Sequence, residues 1–215
     1  MKKIVSLILA RGGSKGIPNK NIIDLNGQPL ISYTINASHE SQIQETWVST
    51  DSQEIKKIAQ DLGASVIDRP QELAQDESPS EDAILHFCKS INFDILVFIQ
   101  PTSPLLTSQD LDQGIELLCN NQKNYDSIFS VYKEHWIPRW NLNIEPIKWN
   151  PKMRPRRQDI EENYVENGAF YISFKNNILE SKLRYSGKIG CIEMPLYRSF
   201  QIDTYEDLEL IKKLL

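Results

Sequence analysis

Arg11, Lys15 and Lys20 place three cations within ten residues, and glycines at 12, 13 and 16 stand among them. Glycine lets a backbone turn tightly and brings bare amide groups up to a ligand. Amide donors and fixed cations together neutralise the charge of a polyphosphate. The apolar run Ile4–Leu9 just before them has the length and content of a buried strand. A strand emptying into the loop Ala10–Asn21 therefore suits a phosphate cradle, although the same residue types also describe a Gly-rich connection with solvated side chains. The common nucleotide motifs do not apply: the order is Gly13-Ser14-Lys15-Gly16 rather than a Walker sequence, and there is no G-x-G-x-x-G.

Other stretches offer chemistry further along. Gln100-Pro101-Thr102-Ser103-Pro104 ends an apolar run with polar groups held by two prolines, which equally describes a turn. Lys152–Arg157 packs four cations into six residues, a pattern that is usually a solvated face. Asp203 precedes a helical pattern, where a lone Asp is often an N-cap. Asp110 and Asp112 sit at a helix start, where carboxylates suit the dipole, and are assigned no chemistry.

The elements that must position these groups are legible from periodicity. Strands are expected near 4–9, 46–50, 64–67 and 94–100, and 94–100 reads as a central strand covered on both faces. Helices are expected between them: one with Pro29 in its first turn, one capped by Asp51 or Ser52 and stopped by Gly63, one opened by Ser78 or Ser80, and one capped by Thr107 or Ser108. This alternation predicts an α/β fold with a doubly wound, mostly parallel sheet. Ligands of such sheets lie at the carboxyl ends of the strands. The first loop, Asp68-Arg69 and Gln100 all follow strands and can converge there. Residues 133–163 lack a clean period and are too long for an ordinary loop, so they are read as a functional or interface insertion in a single domain spanning 1–215. Strands near 126–131, 164–174 and 189–194 and helices near 177–182 and 204–215 complete the chain.

Composition narrows the class. With 215 residues and 40% hydrophobic content, one domain with a real core is expected. A formal net charge of −5 does not favour a nucleic-acid partner. Three widely spaced cysteines predict reduced thiols and a cytoplasmic setting, and the scattered histidines argue against a zinc site. Met1-Lys2-Lys3 and the following run superficially resemble a secretory leader, but Arg11 follows at once and the run is read as a strand. No stretch approaches the ~20 apolar residues of a membrane span.

Residues 9–21, Leu-Ala-Arg-Gly-Gly-Ser-Lys-Gly-Ile-Pro-Asn-Lys-Asn, closely resemble the signature of cytidylyltransferases that activate sialic acids and related nonulosonic acids. Two further segments, Arg154–Asp159 and Glu166–Tyr171, resemble the Arg-Pro-Arg-Arg-Gln-Asp and Glu-Asn-Gly-[AS]-Phe-Tyr stretches of the animal-type enzymes, in order and at family spacing. The resemblance implies a Rossmann-like nucleotidyltransferase that joins CTP to a sialic-type acid, forms the CMP-sugar and releases pyrophosphate. It implies that Arg11, Ser14, Lys15 and Lys20 grip the triphosphate, and that Ala10, Gly12, Asn21, Arg69 and Ser80 help bind the nucleotide. Gln100, Thr102, Ser103, Asn167 and Gly168 would meet the sugar, with its carboxylate held by Arg139 or Arg157 because Val165 replaces the Arg of some bacterial enzymes. Asp203 would hold Mg2+, but Gln201 stands where the family pattern has a first Asp, which leaves the number of metal ions open. The insertion resembles the region through which family members form homodimers.

The first loop differs from those of enzymes for the eight-carbon acid of lipopolysaccharide and for pseudaminic acid, leaving neuraminic and legionaminic acids as candidates. Two other readings remain: nucleotide transfer to another sugar, and a non-catalytic nucleotide-binding module. Pyrophosphate release with different nucleoside triphosphates distinguishes them.

Overall fold

The computed structural model describes residues 2–120, 122–135 and 137–215. Trp136, inside the expected insertion, and the Arg157 side chain lie outside the described residues. The strands are β1 (Ile4–Leu9), β2 (Asp24–Leu25), β3 (Gln28–Pro29), β4 (Glu45–Thr50), β5 (Ser65–Asp68), β6 (Ile95–Ile99), β7 (Ser127–Glu134), β8 (Asn163–Phe174) and β9 (Ile189–Glu193). The helices are α1 (Leu30–His39), α2 (Gln53–Asp61), α3 (Ser80–Ser90), α4 (Ser108–Cys119), α5 (Lys175–Ser181) and α6 (Tyr205–Leu214).

The main sheet has seven strands in the order β5-β4-β1-β6-β8-β7-β9. Among the described residues β8 alone runs against its neighbours, pairing antiparallel with β6 and β7. The expected doubly wound, mostly parallel sheet is therefore observed. β6 is buried along its whole length, as its unbroken apolar run predicts. Helices cover both faces. Ile31 and Ile35 of α1, Ile55 of α2 and Ile115 of α4 pack with Ile8, Val97 and Ile99 on one side. Ile84 and Phe87 of α3 and Ile178 of α5 pack with Leu7, Leu96 and Phe98 on the other.

A third cluster matters for the site. Ile17, from the middle of the first loop, is fully buried with Leu25, Leu30, Leu105, Ile202 and Ile211. Burying such a side chain contributes about 2 kcal/mol, which helps offset the conformational entropy of ordering a Gly-rich loop. The cluster also ties that loop to the segment carrying Asp203.

Two local expectations are corrected, at Pro29 and at the bounds of the irregular stretch, and of the two serines expected to open the third helix the structure selects Ser80. Pro29 does not begin α1 but precedes it in extended conformation, paired with Asp24 in a small antiparallel hairpin. The two-residue turn Asn26-Gly27, with both φ values positive, closes that hairpin, and an Asn-Gly pair is its usual sequence signal. Ser80 is the first residue of α3, with Pro79 before it and no side-chain cap, whereas the Ser78 hydroxyl donates to the Glu72 carbonyl. The irregular stretch is shorter than 133–163, because β7 continues through Glu134 and β8 begins at Asn163. Ser52 caps α2 and Thr107 caps α4.

Candidate active site

β1, β5 and β6 are parallel members of one sheet, so the residues after Leu9, Asp68 and Ile99 emerge on the same edge. There they surround a cavity of 430 Å³. Arg11, Ser14, Lys15, Gly16, Lys20 and Asn21 line it from the first loop. Arg69, Ser80, Gln100, Thr102 and Asp203 line it from the other segments. The convergence expected from strand order is observed for the first loop, Arg69 and Gln100, whereas Asp68 ends β5 and pairs with Lys56 away from the lining.

The loop is shaped by close approaches. The Gly12 amide donates to Asp51 Oδ1 at 2.9 Å, and a Cβ at residue 12 would sit 3.0 Å from that of Ser52. A Cβ at residue 16 would meet the Asp203 carbonyl oxygen at 2.8 Å, so Gly16 lets the two segments touch. Ala10 is buried, and its amide donates to the Ser49 carbonyl as a continuation of the sheet. Asn21 is buried and its Nδ2 donates to the Arg11 carbonyl, so its amide group braces the loop from within.

The cations are held by carboxylates and carbonyls. Arg11 and Lys15 both pair with Asp76, at 2.8 and 2.9 Å. Lys20 Nζ lies 2.7 Å from Asp203 Oδ1. Arg69 is buried and donates to the Ser49 carbonyl at 2.6 Å and to its hydroxyl at 3.1 Å. Burial pulls the Arg69 guanidinium down to about 10; Asp51 opposes the shift and Arg11 adds to it. Arg69 is thus charged at neutral pH and fixed at the cavity wall.

Asp203 is free to act because it is not the helix cap. Thr204 caps α6 in a capping box with Asp207, whose carboxylate also accepts from the Asp203 amide at 3.0 Å. The Asp203 side chain is left pointing at Lys20. Asp110 acts elsewhere, completing the capping box of α4 and pairing with Arg198, which fastens the segment before Asp203 to the start of α4.

The Glu166–Tyr171 motif forms an irregularity in β8. Phe129 pairs with Tyr171 and Val131 with Glu166, so Asn167–Phe170 bulge opposite Ser130 alone. Gly168 has φ +70 there, a conformation that favours glycine. The bulge lies beside the end of β6, where the Gln100 amide donates to the Ala169 carbonyl at 3.0 Å. The Asn167 side chain is buried in the brace: Oδ1 accepts from the Ser130 hydroxyl at 2.5 Å and Nδ2 donates to the Ser199 hydroxyl at 3.0 Å. Gln201 Nε2 donates to the Asn167 carbonyl at 2.8 Å and to the Ser103 hydroxyl at 3.2 Å. Gln201 thereby ties together the β6 loop, the bulge and the Asp203 segment.

Not every expected residue reaches the cavity. Ala10, Gly12, Ser103, Asn167 and Gly168 are not among the lining residues. Arg139 lies in the insertion and pairs with Glu134. Sequence reasoning missed the 71–79 loop, whose Leu73, Gln75, Asp76 and Ser78 line the cavity. Its polar composition is that of an ordinary solvated loop, and its place just after the end of β5 was the signal that could have found it. Among the described residues, no cluster of three or more His, Cys, Asp or Glu side chains is arranged to hold a metal. No helix among them is long and apolar enough to cross a membrane.

The fold and site define a mostly parallel α/β protein with a cation-lined cavity at the carboxyl edge of its sheet, where ligands of such sheets lie. The chain belongs to the cytidylyltransferase family, whose sequence model, described as Cytidylyltransferase, matches residues 5–215. It is 42% identical over 211 residues to N-acylneuraminate cytidylyltransferase A of Danio rerio, covering 94% of this chain and 48% of that protein. It is 32% identical over 212 residues to N-acylneuraminate cytidylyltransferase of Streptococcus agalactiae serotype V, covering 95% and 51%. The chain thus spans about half the length of the curated relatives it matches. Among solved structures, CMP:2-keto-3-deoxy-manno-octonic acid synthetase complexed with CTP superposes with a TM-score of 0.75 at 17% identity, over 99% of this chain and 98% of that one. A 4-diphosphocytidyl-2C-methyl-D-erythritol synthase from Anaerococcus prevotii DSM 20548 gives 0.71 at 14%, over 99% and 98%. At such identities these two share the fold.

Proposed function

We propose that the chain transfers CMP from CTP to the anomeric hydroxyl of a sialic-type acid, N-acetylneuraminate or legionaminate, releasing pyrophosphate. The observation that carries this reading is the cradle itself: Arg11, Lys15, Lys20 and Arg69 converge on one cavity at the sheet's carboxyl edge. The triphosphate lies on the first loop and the sugar lies toward Gln100 and Thr102. The anomeric hydroxyl attacks the α-phosphorus in line and gives up its proton to solvent, the bond from that phosphorus to the oxygen bridging the β-phosphate breaks, and that oxygen leaves with the pyrophosphate. Lys15 and Arg11 neutralise charge on the departing group, while Gln100 and Thr102 orient the sugar by hydrogen bonds. No side chain stands out as a general base, so positioning and charge neutralisation supply most of the rate enhancement.

One Mg2+ fits the residues present. Two carboxylates line the cavity, and Asp76 is engaged by Arg11 and Lys15, so Asp203 is the one that would hold the ion beside substrate phosphates. Gln201, two residues earlier, can offer only a neutral amide oxygen, and its Nε2 donates to Asn167 and Ser103, so it adds no negative charge for a second ion. When bound, the ion neutralises phosphate charge during transfer. The free thiols Cys88, Cys119 and Cys191 support a cytoplasmic setting.

The test is a panel of nonulosonic acids with CTP and Mg2+, followed by pyrophosphate release. Turnover is expected with a nine-carbon acid and CTP. Release only with another nucleoside triphosphate or a sugar phosphate would replace the reading, and CTP binding without turnover on any acid would favour the non-catalytic module.

We also propose a homodimer formed through the insertion. Ile137, Leu142, Ile144 and Met153 are exposed there, a concentration of apolar surface that suits an interface. Light scattering at working concentration is expected to give twice the chain mass; the mass of one chain would overturn the dimer.

A further inference from the structure

One carboxylate sits on two cations of the cradle at once. Asp76 Oδ1 lies 2.8 Å from Arg11 Nη2, and its Oδ2 lies 2.9 Å from Lys15 Nζ. Arg11 also donates through Nη1 to the Ala74 carbonyl on the same loop, at 3.3 Å. The hydrogen bond from Lys15, reinforced by Arg11, holds the Asp76 carboxyl below the usual carboxylate range. Asp76 is therefore an anion at neutral pH that offers two oxygens to two cations, as a phosphate group does.

The position of this contact is as informative as its partners. Arg11, Lys15, Gln75 and Asp76 line both the main cavity and a second one of 580 Å³, which continues past Gly13 and Asp51. The shared residues are the wall between the two. Stability does not account for the arrangement, because exposed ion pairs contribute little and the Lys15 side chain is 74% exposed. The arrangement instead bears on binding, since a ligand that uses Arg11 and Lys15 meets a carboxylate already occupying them.

We infer that Asp76 is an internal competitor for the terminal phosphates of the nucleotide: CTP displaces it from Arg11 and Lys15, and its return helps expel pyrophosphate. The inference rests on the reading of the first loop as the triphosphate cradle. It involves an exchange of ion pairs, with no covalent step. Asp76 thus sets nucleotide affinity and product release without touching the reacting atoms.

The experiment compares the whole chain, Asp76→Asn, Asp76→Glu and Lys15→Ala by calorimetry with CTP and with inorganic pyrophosphate, each in Mg2+ buffer without sugar. Asp76→Asn is expected to bind both roughly tenfold tighter, the gain for a competitor that occupies the cradle about nine-tenths of the time. Pyrophosphate should then inhibit turnover of Asp76→Asn at correspondingly lower concentration, while Asp76→Glu stays near the original chain. Equal or weaker binding of both ligands by an Asp76→Asn protein with an unchanged melting temperature would overturn the inference. Lys15→Ala separates the two readings. If it leaves CTP binding intact, the cradle itself is misplaced; if it weakens CTP binding while Asp76→Asn tightens nothing, only the competitor is lost.

Discussion

Lys15→Ala is expected to lower turnover by about a hundred- to a thousandfold, the usual effect of removing one preorganised group that stabilises developing charge. The loss should appear in kcat as well as in kcat/KM. Charge accumulates on the bridging oxygen as the bond to the α-phosphorus breaks, so a cation on that side matters more in the transition state than in the ground state. The fold should be almost unaffected. Lys15 is 74% exposed, and its ion pair is with Asp76, itself partly exposed. Its melting temperature is therefore expected to stay within about 2 °C of the original, as for most surface substitutions. Lys15→Arg should recover part of the activity by restoring charge with a different reach and shape. The measurement is pyrophosphate release at saturating CTP and sugar, beside thermal unfolding of each variant. A folded Lys15→Ala protein with near-normal kcat would remove Lys15 from the machinery.

Why Lys15 was visible in the sequence, while Asp76 was not, has a physical explanation. A strand ending in a loop of glycines and cations is a local pattern, and the parallel sheet then dictates where that loop must lie. The same logic made Arg69 and Gln100 legible, since each follows a strand whose apolar content is plain. Asp76 belongs to a polar run whose meaning depends on a contact with residues more than 60 positions earlier, and nothing local encodes that. The bulge at Asn167–Phe170 is similar: Gly168 was visible as a motif residue, but its backbone role depends on the pairing of β8 with β7. The sequence also placed Asn167 toward the sugar, whereas tertiary hydrogen bonds from Ser130 and to Ser199 engage its side chain. The hairpin at Asn26-Gly27 is a different case. Its turn signal was present, but strands of two residues are too short to show a period.

Asp203→Ala should produce the other large effect, a loss of about a hundredfold or more in turnover that added Mg2+ only partly restores. Asp203 is a cavity carboxylate that helix capping leaves unclaimed, because Thr204 and Asp207 cap α6 between themselves. Its partner Lys20 is the third cation of the cradle, so the substitution removes a metal ligand and also frees Lys20 from its 2.7 Å ion pair. These consequences oppose each other in a useful way. Binding of CTP without Mg2+ should hold or improve in Asp203→Ala, since Lys20 becomes available to phosphate, whereas metal-dependent turnover falls. The expected sign of each change comes from the same contact, which makes the pair of measurements more discriminating than activity alone. Gln201 supplies the contrast. Its Nε2 donates to the Asn167 carbonyl and the Ser103 hydroxyl, so its amide acts as a cross-brace beneath the sugar side of the cavity. Gln201→Ala should therefore raise KM for the sugar acid while leaving the Mg2+ concentration needed for half-maximal rate unchanged. A Mg2+ titration of the two variants checks both statements. An unchanged metal requirement in Asp203→Ala, or a sharply raised one in Gln201→Ala, would move the ion from Asp203 to its neighbour two residues earlier.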